Sequence, residues 1–395
     1  MANSILTPTA VTREALRILH QKCNFIGSID RQYDDSFAKS GAKIGDSLKI
    51  RLPNQYTVRD GATIQAQDTS ESSVTLQVAT QKGVDMQFSS AELTMSLDDF
   101  SKRILEPAVS VLAAAIEADA LSMRKNVYNQ VDNVAAAITS AKILACGRKL
   151  DENLAPMGNR KALLNPNDMA NSVEALKSLF NSAPEIGKQY REGQMGSALG
   201  FDFSQSTHLN TQSCLARASY QTNDATAQTG STLTVDTGTG AIALGETFTI
   251  AGVYSVHPET KVSTGILQQF VTTAAYSGTT TTIAFAPAIV ASGASQNVSN
   301  GAANDKAVTF LGTASTDYGQ SLFYRPEAFT FATADLVMPK GVDMAAREVL
   351  DGISMRLVRA YDINSDNFPV RLDVYYGYKA IRPELACRLA NLAPA

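Results

Sequence analysis

The chain has 395 residues, 44% of them hydrophobic and 18% charged, with a formal net charge of −4. That length exceeds one comfortable core, so two or three domains of ordinary globular composition are expected. The slight negative charge excludes tight nonspecific binding to nucleic acid, which needs surplus Lys and Arg facing phosphates, but allows a wall that encloses DNA without gripping it.

The opening residues, MANSILTPTA, show no basic n-region or apolar h-region, so no secretory signal is expected. No run of about 18 apolar residues predicts a membrane span. Synthesis and retention in a cytoplasm follow as the expectation. Thr7 as cap and Pro8 at the first position predict a helix with Val11, Ala15, Ile18 and Leu19 on one stripe. Such a stripe needs cover from another domain or another molecule. Arg13, Arg17 and Lys22 on the same segment leave DNA, an acidic partner and solvent open as neighbours.

Between 41 and 90 the pattern becomes strand-like. Residues 47–52 alternate polar and apolar, the chain then runs polar from Pro53 through Asp60 and Gly61 to Ser73, and Val74, Leu76 and Val78 alternate again. Val84, Met86 and Phe88 repeat the period after Gly83. This predicts a long two-stranded ribbon with little apolar surface at its tip, marginal alone and lying on a partner. Its charged residues Arg51, Arg59, Asp60 and Glu71 are candidate inter-subunit contacts, with Arg13 and Arg17 of the first helix.

Ser96 and Asp99 fit a capping box. Beyond Pro107, the residues Val109, Leu112, Ile116, Ala120, Met123 and Val127 recur at three- or four-residue spacing and predict a spine helix of about five turns. Leu105 continues the stripe backwards, which leaves Pro107 as a kink or a first turn. Residues 139–222 read as mixed α/β. Asn165 and Pro166 open a helix with Met169, Val173, Leu176 and Phe180 on one face, beside a buried strand at Ala162, Leu163 and Leu164.

From 221 to 320 the charged residues are Asp224, Asp236, Glu246, Glu259, Lys261, Asp305, Lys306 and Asp317, eight in one hundred. Alternating fragments such as Phe248/Ile250 and Ile283/Phe285 predict a small antiparallel barrel or sandwich rather than a disordered linker. Strand-like pattern returns at Phe329, Phe331 and Leu336. It returns again where Leu372, Val374, Tyr376 and Tyr378 alternate with Arg371, Asp373 and Tyr375, giving one apolar face. The barrel is therefore an insertion into a larger domain.

Signatures of chemistry are sparse. His20, His208 and His257 are the three histidines, far apart and without metal spacing. No GxSxG elbow, GxxxxGK[ST] loop or GxGxxG turn occurs. Cys23, Cys146, Cys214 and Cys387 are read as free thiols. Asp362, Asn364, Asp366 and Asp373 fall at positions 1, 3, 5 and 12 of a calcium loop. However, Asn367 replaces the turn glycine and Pro369 interrupts it, so a polar turn is expected. Asn297-Val298-Ser299 is a formal glycosylation sequon that an unsecreted chain does not use. No catalytic residue, cofactor or metal is assigned, and an enzyme is not expected.

Several stretches resemble the coat proteins of tailed bacteriophages. These are residues 150–156 with Arg160 and the strand ending at Asn165 and Pro166, and residues 190–203 with Ser206 and Leu209. In the insertion, residues 248–253, 256–261 and 267–270 are similar to the inserted barrel of short-tailed Salmonella phage coat proteins. The run from Tyr376 and Gly377 to Arg382, Pro383 and Glu384 is similar to their closing segment. The likeness covers nearly the whole chain in order. One departure is the short stretch between Tyr220 and Thr232, where relatives can carry a long charged loop.

The resemblance implies an α+β Hong Kong 97-type capsid fold. Its parts would be an N-terminal arm (1–35), an extended loop with flanks (36–90), a peripheral domain with the spine helix (91–130 and 320–350), an axial domain (131–222 and 351–395) and an inserted barrel (223–319). It further implies a major capsid protein that assembles as pentamers and hexamers into an icosahedral shell around double-stranded DNA. Scaffolding and portal proteins, and in some shells a cement or decoration protein, would be its partners, with assembly in the bacterial cytoplasm, no membrane, and expansion on packaging. A carbohydrate-binding or adhesin-like module is the rival reading of the Thr-rich barrel. The absence of Trp speaks against it, and an unrecognised hydrolase lacks any clustered acid, base or nucleophile.

Overall fold

The computed structural model describes residues 8–34, 47–59, 61–64, 66, 72–89, 105–133, 136–176, 196–209, 211–236, 238–278, 281–363 and 367–392. Thr7, Ser96, Asp99, Phe180 and the stretch around Tyr190 lie outside them. The chain divides into two compact units. One comprises Met1–Arg51, Ser73–Leu121 and Phe329–Lys379; the other comprises Leu52–Ser72, Ser122–Ala328 and Ala380–Ala395.

In the first unit, helix α1 (Pro8–Lys22) and the short α2 (Asn24–Ser28) lead into strand β1 (Asp30–Asp34). Val11, Ala15, Ile18 and Leu19 are all buried. Their cover comes from the same chain: α1 packs on the spine helix α3 (Glu106–Leu121) and on strands β18 (Met344–Leu350) and β19 (Ile353–Arg359). This answers the expectation that the arm needs another domain or molecule. Helix α3 supplies the complementary stripe Val109, Leu112, Ala113 and Ile116, so the apolar cost is met locally. Pro107 is the second residue of α3. A 3-10 turn (Ser122–Asn126) follows α3 in sequence and belongs to the second unit.

A six-stranded sheet carries this unit in the order β1, β17 (Phe329–Ala334), β20 (Asn367–Ala380), β19, β18. Strand β4 (Thr80–Ser89) pairs with β20 from Asn367↔Ser89 to Tyr376↔Thr80. The third alternating run, expected as part of the ribbon, is thus a sheet strand. The ribbon itself is β2 (Ser47–Arg51) paired with β3 (Ser73–Gln77). Its base is anchored: Leu76 and Val78 are buried with Ala332, Ala334 and Tyr375, and the Tyr375 hydroxyl donates to the Val78 carbonyl at 2.8 Å. Glycine is required at 377, because a Cβ there would collide with the carbonyl oxygen of Gln77.

Strand β20 departs from its expected single apolar face. Asp373 and Tyr375 are buried as well as Leu372, Val374 and Tyr376. Asp373 tolerates this because Arg356 and Arg371 each reach it at 2.7 Å, and because Gly83 opposite leaves room. A Cβ at 83 would lie 2.5 Å from its Oδ1. That pairing also removes Asp373 from any calcium loop; Asn364 and Asp366 lie outside the described residues.

The second unit is built on a seven-stranded sheet in the order β5 (Gln130–Asn133), β21 (Ala386–Leu392), β16 (Asp317–Tyr324), β6 (Lys161–Leu164), β8 (Phe201–Gln205), β7 (Ser197–Ala198), with β9 (Gln212–Ser213) on β16. Helix α4 (Ser140–Glu152) buries Ile143, Cys146 and Leu150. Helix α5 (Pro166–Leu176) begins where the Asn165 side chain accepts the Asp168 amide at 2.7 Å. The segments expected as 320–350 and 351–395 are divided differently by strand pairing. β16 belongs with β6 and β21, whereas β18 to β20 belong to the first sheet. Long-range pairing, invisible to local periodicity, sets these boundaries.

Within this unit six strands close a barrel in the order β10 (Tyr220–Thr222), β11 (Gly230–Asp236), β14 (Thr282–Ile289), β13 (Ser263–Thr272), β12 (Thr247–Val256), β15 (Ala307–Phe310). It starts at Tyr220 and ends at Phe310, slightly earlier at both ends than 223–319. The first connection, 223–229, is short. Phe248, Phe270 and Phe285 meet at the centre with ring centroids 5.2–5.9 Å apart. Closure leaves no free sheet edge. An excised fragment spanning 218–312 is therefore expected to fold alone, with a β-type circular dichroism spectrum and a cooperative melt; a random-coil spectrum would refute this.

Candidate assembly surface

A shell subunit works through its exposed surface, so the candidate contacts are weighed by exposure and by what already holds them. Arg13 projects from α1 with its side chain 74% exposed and lies 3.7 Å from Glu348. Arg17 is bound to Glu14 on its own helix at 2.6 Å. Arg51 ends β2 at the surface. Arg59 curls onto its own loop, donating to the carbonyls of Gly61 and Thr63. Asp60 and Glu71 lie outside the described residues. Of the four described candidates, Arg17 and Arg59 are held by groups close to them in sequence.

The loop beyond the ribbon shows a different signal. Residues 52–59 and 61–64 carry no helix or strand, yet Tyr56 is 56%, Val58 92% and Ile64 82% exposed. Apolar side chains left this exposed to water are unfavourable unless something covers them, at about 25 cal/mol per Å². Sequence reading missed these three because it weighted the loop's charges. The available signal was an aromatic and two β-branched residues within a polar stretch.

Beneath the barrel lies a buried polar junction that joins it to the seven-stranded sheet within the same unit. Arg388 of β21, fully buried, donates to the Gly245 carbonyl at 2.9 Å and to the Thr247 hydroxyl. Burial, with the charge of Arg124, pushes Arg388 down to about 9; burial alone pushes Arg124 down to about 10. The Gln130 amide donates to the Gln269 side chain at 2.9 Å, and the Gln269 side chain donates back to the Gln130 carbonyl at 2.9 Å. Arg217 and Glu246 form an ion pair at 2.7 Å with side chains 4% and 0% exposed. Glu246 also accepts the Ala243 and Leu215 amides at 2.7 and 3.2 Å. Burial raises its carboxyl, opposed by those amides and by Arg217.

Among the described residues no group of three or more His, Cys, Asp or Glu is placed to hold a metal. The ring Nδ1 of His257 accepts two backbone amides of its own turn, at 3.3 and 3.2 Å. The four cysteines are free and buried. The Asn297 side chain is engaged with Ala288 and Val290. No helix among the described residues is long and apolar enough to cross a membrane.

Comparison with known proteins assigns the whole. Residues 28–389 match the family model described as P22 coat protein, gene protein 5. No curated protein matches the chain. Solved structures similar to it include one from Mycobacterium phage Che8, at 11% identity and a TM-score of 0.42, covering 90% of this chain and 88% of that one. The capsid of cyanophage P-SCSP1u, at 11% identity and 0.45, covers 92% and 87%. The mature capsid of bacteriophage PhiM1, at 10% and 0.45, covers 92% and 86%. The family match spans the ribbon base, the spine helix, both sheets and the inserted barrel, in keeping with the α+β Hong Kong 97-type fold. The chain belongs to the P22 coat protein family and is a major capsid protein of a phage shell.

Proposed function

We propose that this subunit assembles as pentamers and hexamers into an icosahedral shell around double-stranded DNA, through a scaffold-dependent procapsid that expands on packaging. In this reading residues 1–35 act as the N-terminal arm, the ribbon with its loop as the extended loop, the first unit as the peripheral domain, and the seven-stranded sheet as the axial domain bearing the barrel. The subunit acts by binding its own copies and has no catalytic role. Scaffolding and portal proteins are its assembly partners, a decoration protein is an optional one, and assembly takes place in the host cytoplasm. DNA is enclosed without sequence-specific contact, consistent with the net charge of −4.

The exposed triplet Tyr56, Val58 and Ile64 carries this reading: it is the apolar surface that a neighbouring copy would cover. Each side chain contributes about 1.5–3 kcal/mol when fully buried, whereas exposed ion pairs at Arg51 or Arg59 contribute about 0–1 kcal/mol. Repeated around a closed shell, modest contacts give collective stability. Co-expression with a scaffolding protein is expected to yield closed shells by negative-stain microscopy, and the triple variant Y56S/V58S/I64S should reduce their yield at least tenfold. Undiminished shells from the variant would remove the loop from the contact. Monomers and amorphous aggregate alone from the unaltered chain would overturn the shell reading.

A further inference from the structure

Three asparagines lie close together on the connection between β14 and β15, and the structure treats them differently. The Asn297 side chain is clamped at both ends: its Nδ2 donates to the Ala288 carbonyl at 2.7 Å and its Oδ1 accepts the Val290 amide at 2.9 Å. Asn304 is clamped likewise, accepting the Asp224 amide and donating to the Asp305 carboxylate, each at 2.9 Å. Asn300, exposed on a bend between them, has one long bond from its Nδ2 to the Ser299 hydroxyl at 3.3 Å. Among the described residues no other group bonds its side-chain amide, and the backbone amide of Gly301 has no acceptor.

The residue that follows supplies the other half of the chemistry. An asparagine side chain carries an electrophilic carbonyl carbon, and the main-chain nitrogen of the next residue is the nucleophile nearest to it. A Cβ on that next residue shields the nitrogen, and glycine has none. Val298 and Asp305 follow the two clamped asparagines; Gly301 follows the unclamped one, in the only Asn-Gly pair of the chain. Glycine is also what the fold requires at 301, where a Cβ would lie 2.9 Å from the Gln228 carbonyl oxygen and 3.2 Å from the Ala227 Cβ. The chain is anchored on either side of the pair. Ser299 donates its amide to the Tyr254 carbonyl at 2.8 Å, and Ala302 exchanges two backbone bonds with Gln228 at 2.8 and 3.0 Å. Between these anchors, rotation within Asn300 brings its Cγ onto the Gly301 nitrogen.

We propose that Asn300 and Gly301 form a self-modification site that converts the asparagine to aspartate and isoaspartate. The Gly301 nitrogen bonds to Cγ of Asn300, the Cγ–Nδ2 bond breaks, and Nδ2 leaves as ammonia with the proton that the Gly301 nitrogen gives up. Water then opens the resulting cyclic imide. Cleavage between Cγ and the nitrogen leaves aspartate in the ordinary chain. Cleavage between the main-chain carbonyl carbon of residue 300 and the nitrogen routes the chain through the side chain and leaves isoaspartate. Water is the only co-reactant, and nothing is oxidised or reduced. The rate climbs with pH, because the attacking nitrogen must lose its proton. Each event adds a negative charge to a barrel whose charged residues are mostly acidic. The isoaspartyl form also inserts an extra backbone carbon between the anchored Ser299 and Ala302.

The full-length chain, incubated at mildly alkaline pH beside a synthetic peptide of residues 295–305, tests this. Proteolysis followed by mass spectrometry, with fragmentation that distinguishes the isoaspartyl backbone, locates the product. Asn300 is expected to convert within about tenfold of the peptide's rate, as in a surface turn whose opening costs little. Isoaspartate should be among the products, and Asn297 and Asn304 should stay amides. N300S should abolish the signal in the fragment that carries residue 300. Slower conversion would overturn the proposal, because the fold would then be protecting the pair. Aspartate without isoaspartate would overturn it too, since direct hydrolysis bypasses the imide, and so would isoaspartate that survives in the N300S fragment.

Discussion

Replacing Glu246 with alanine is expected to destabilise the barrel-bearing unit by about 3–5 kcal/mol, the range for breaking a buried ion pair from one side. The loss has two parts. Arg217, 2.7 Å away and 4% exposed, would keep its charge with no counter-ion. The Ala243 and Leu215 amides would lose their acceptor, and orphaned buried donors cost about 1–3 kcal/mol each. The guanidinium would retain its bonds to the carbonyls of Leu311 and Gly312 and its place 5.0 Å from the Phe310 ring, so the chain should still fold. Urea unfolding of the full chain, with the slope checked for constancy, measures the effect. The control is the double variant R217M/E246L. Removing both charges together should recover more than half of the loss, since a buried pair is often no better than well-packed apolar residues. A single-variant loss below about 1 kcal/mol would show that water reaches the pair.

Phe248→Ala in the barrel is expected to cost about 3–5 kcal/mol through lost transfer energy and the cavity left behind. Phe248 is fully buried and touches the rings of Phe270, Phe285 and Phe310 with centroids 5.4–5.9 Å apart. Three aromatic neighbours, each fixed on its own strand, cannot collapse into the void without breaking the ladder. Phe248→Leu should cost clearly less, because most of the volume remains. The same denaturant titration reads both variants. Equal costs for the two would mean that the barrel core repacks freely, contrary to its closed ladder.

Local patterns were reliable where the partner did not matter. Phe248/Ile250 and Ile283/Phe285 face the barrel core as their alternation demanded, and the stripe from Val109 to Ala120 faces inward along α3. Where pairing decided, the pattern was silent. The run around Val84 and Met86 alternates like its neighbours, yet β4 leaves the ribbon to pair with the distant β20, from Tyr376↔Thr80 to Asn367↔Ser89. Asp373 read as a solvent-facing residue because an unpaired carboxylate belongs in water; two arginines from β19 and β20 reverse that.

The surface was the least legible part. Charged residues attract attention as contacts, but Arg17 and Arg59 are held by their own surroundings, while the exposed apolar residues Tyr56, Val58 and Ile64 look in a sequence like any core positions.

From the order of residues alone came the spine helix, the charge-poor antiparallel insertion, the absence of any recognisable reaction chemistry and the family likeness, since these rest on period, composition and short-range turn chemistry. The tertiary structure alone decided which strands share a sheet, that α1 is covered by its own chain, and which polar groups are buried. Those outcomes depend on contacts between distant segments, whose energies no local window contains.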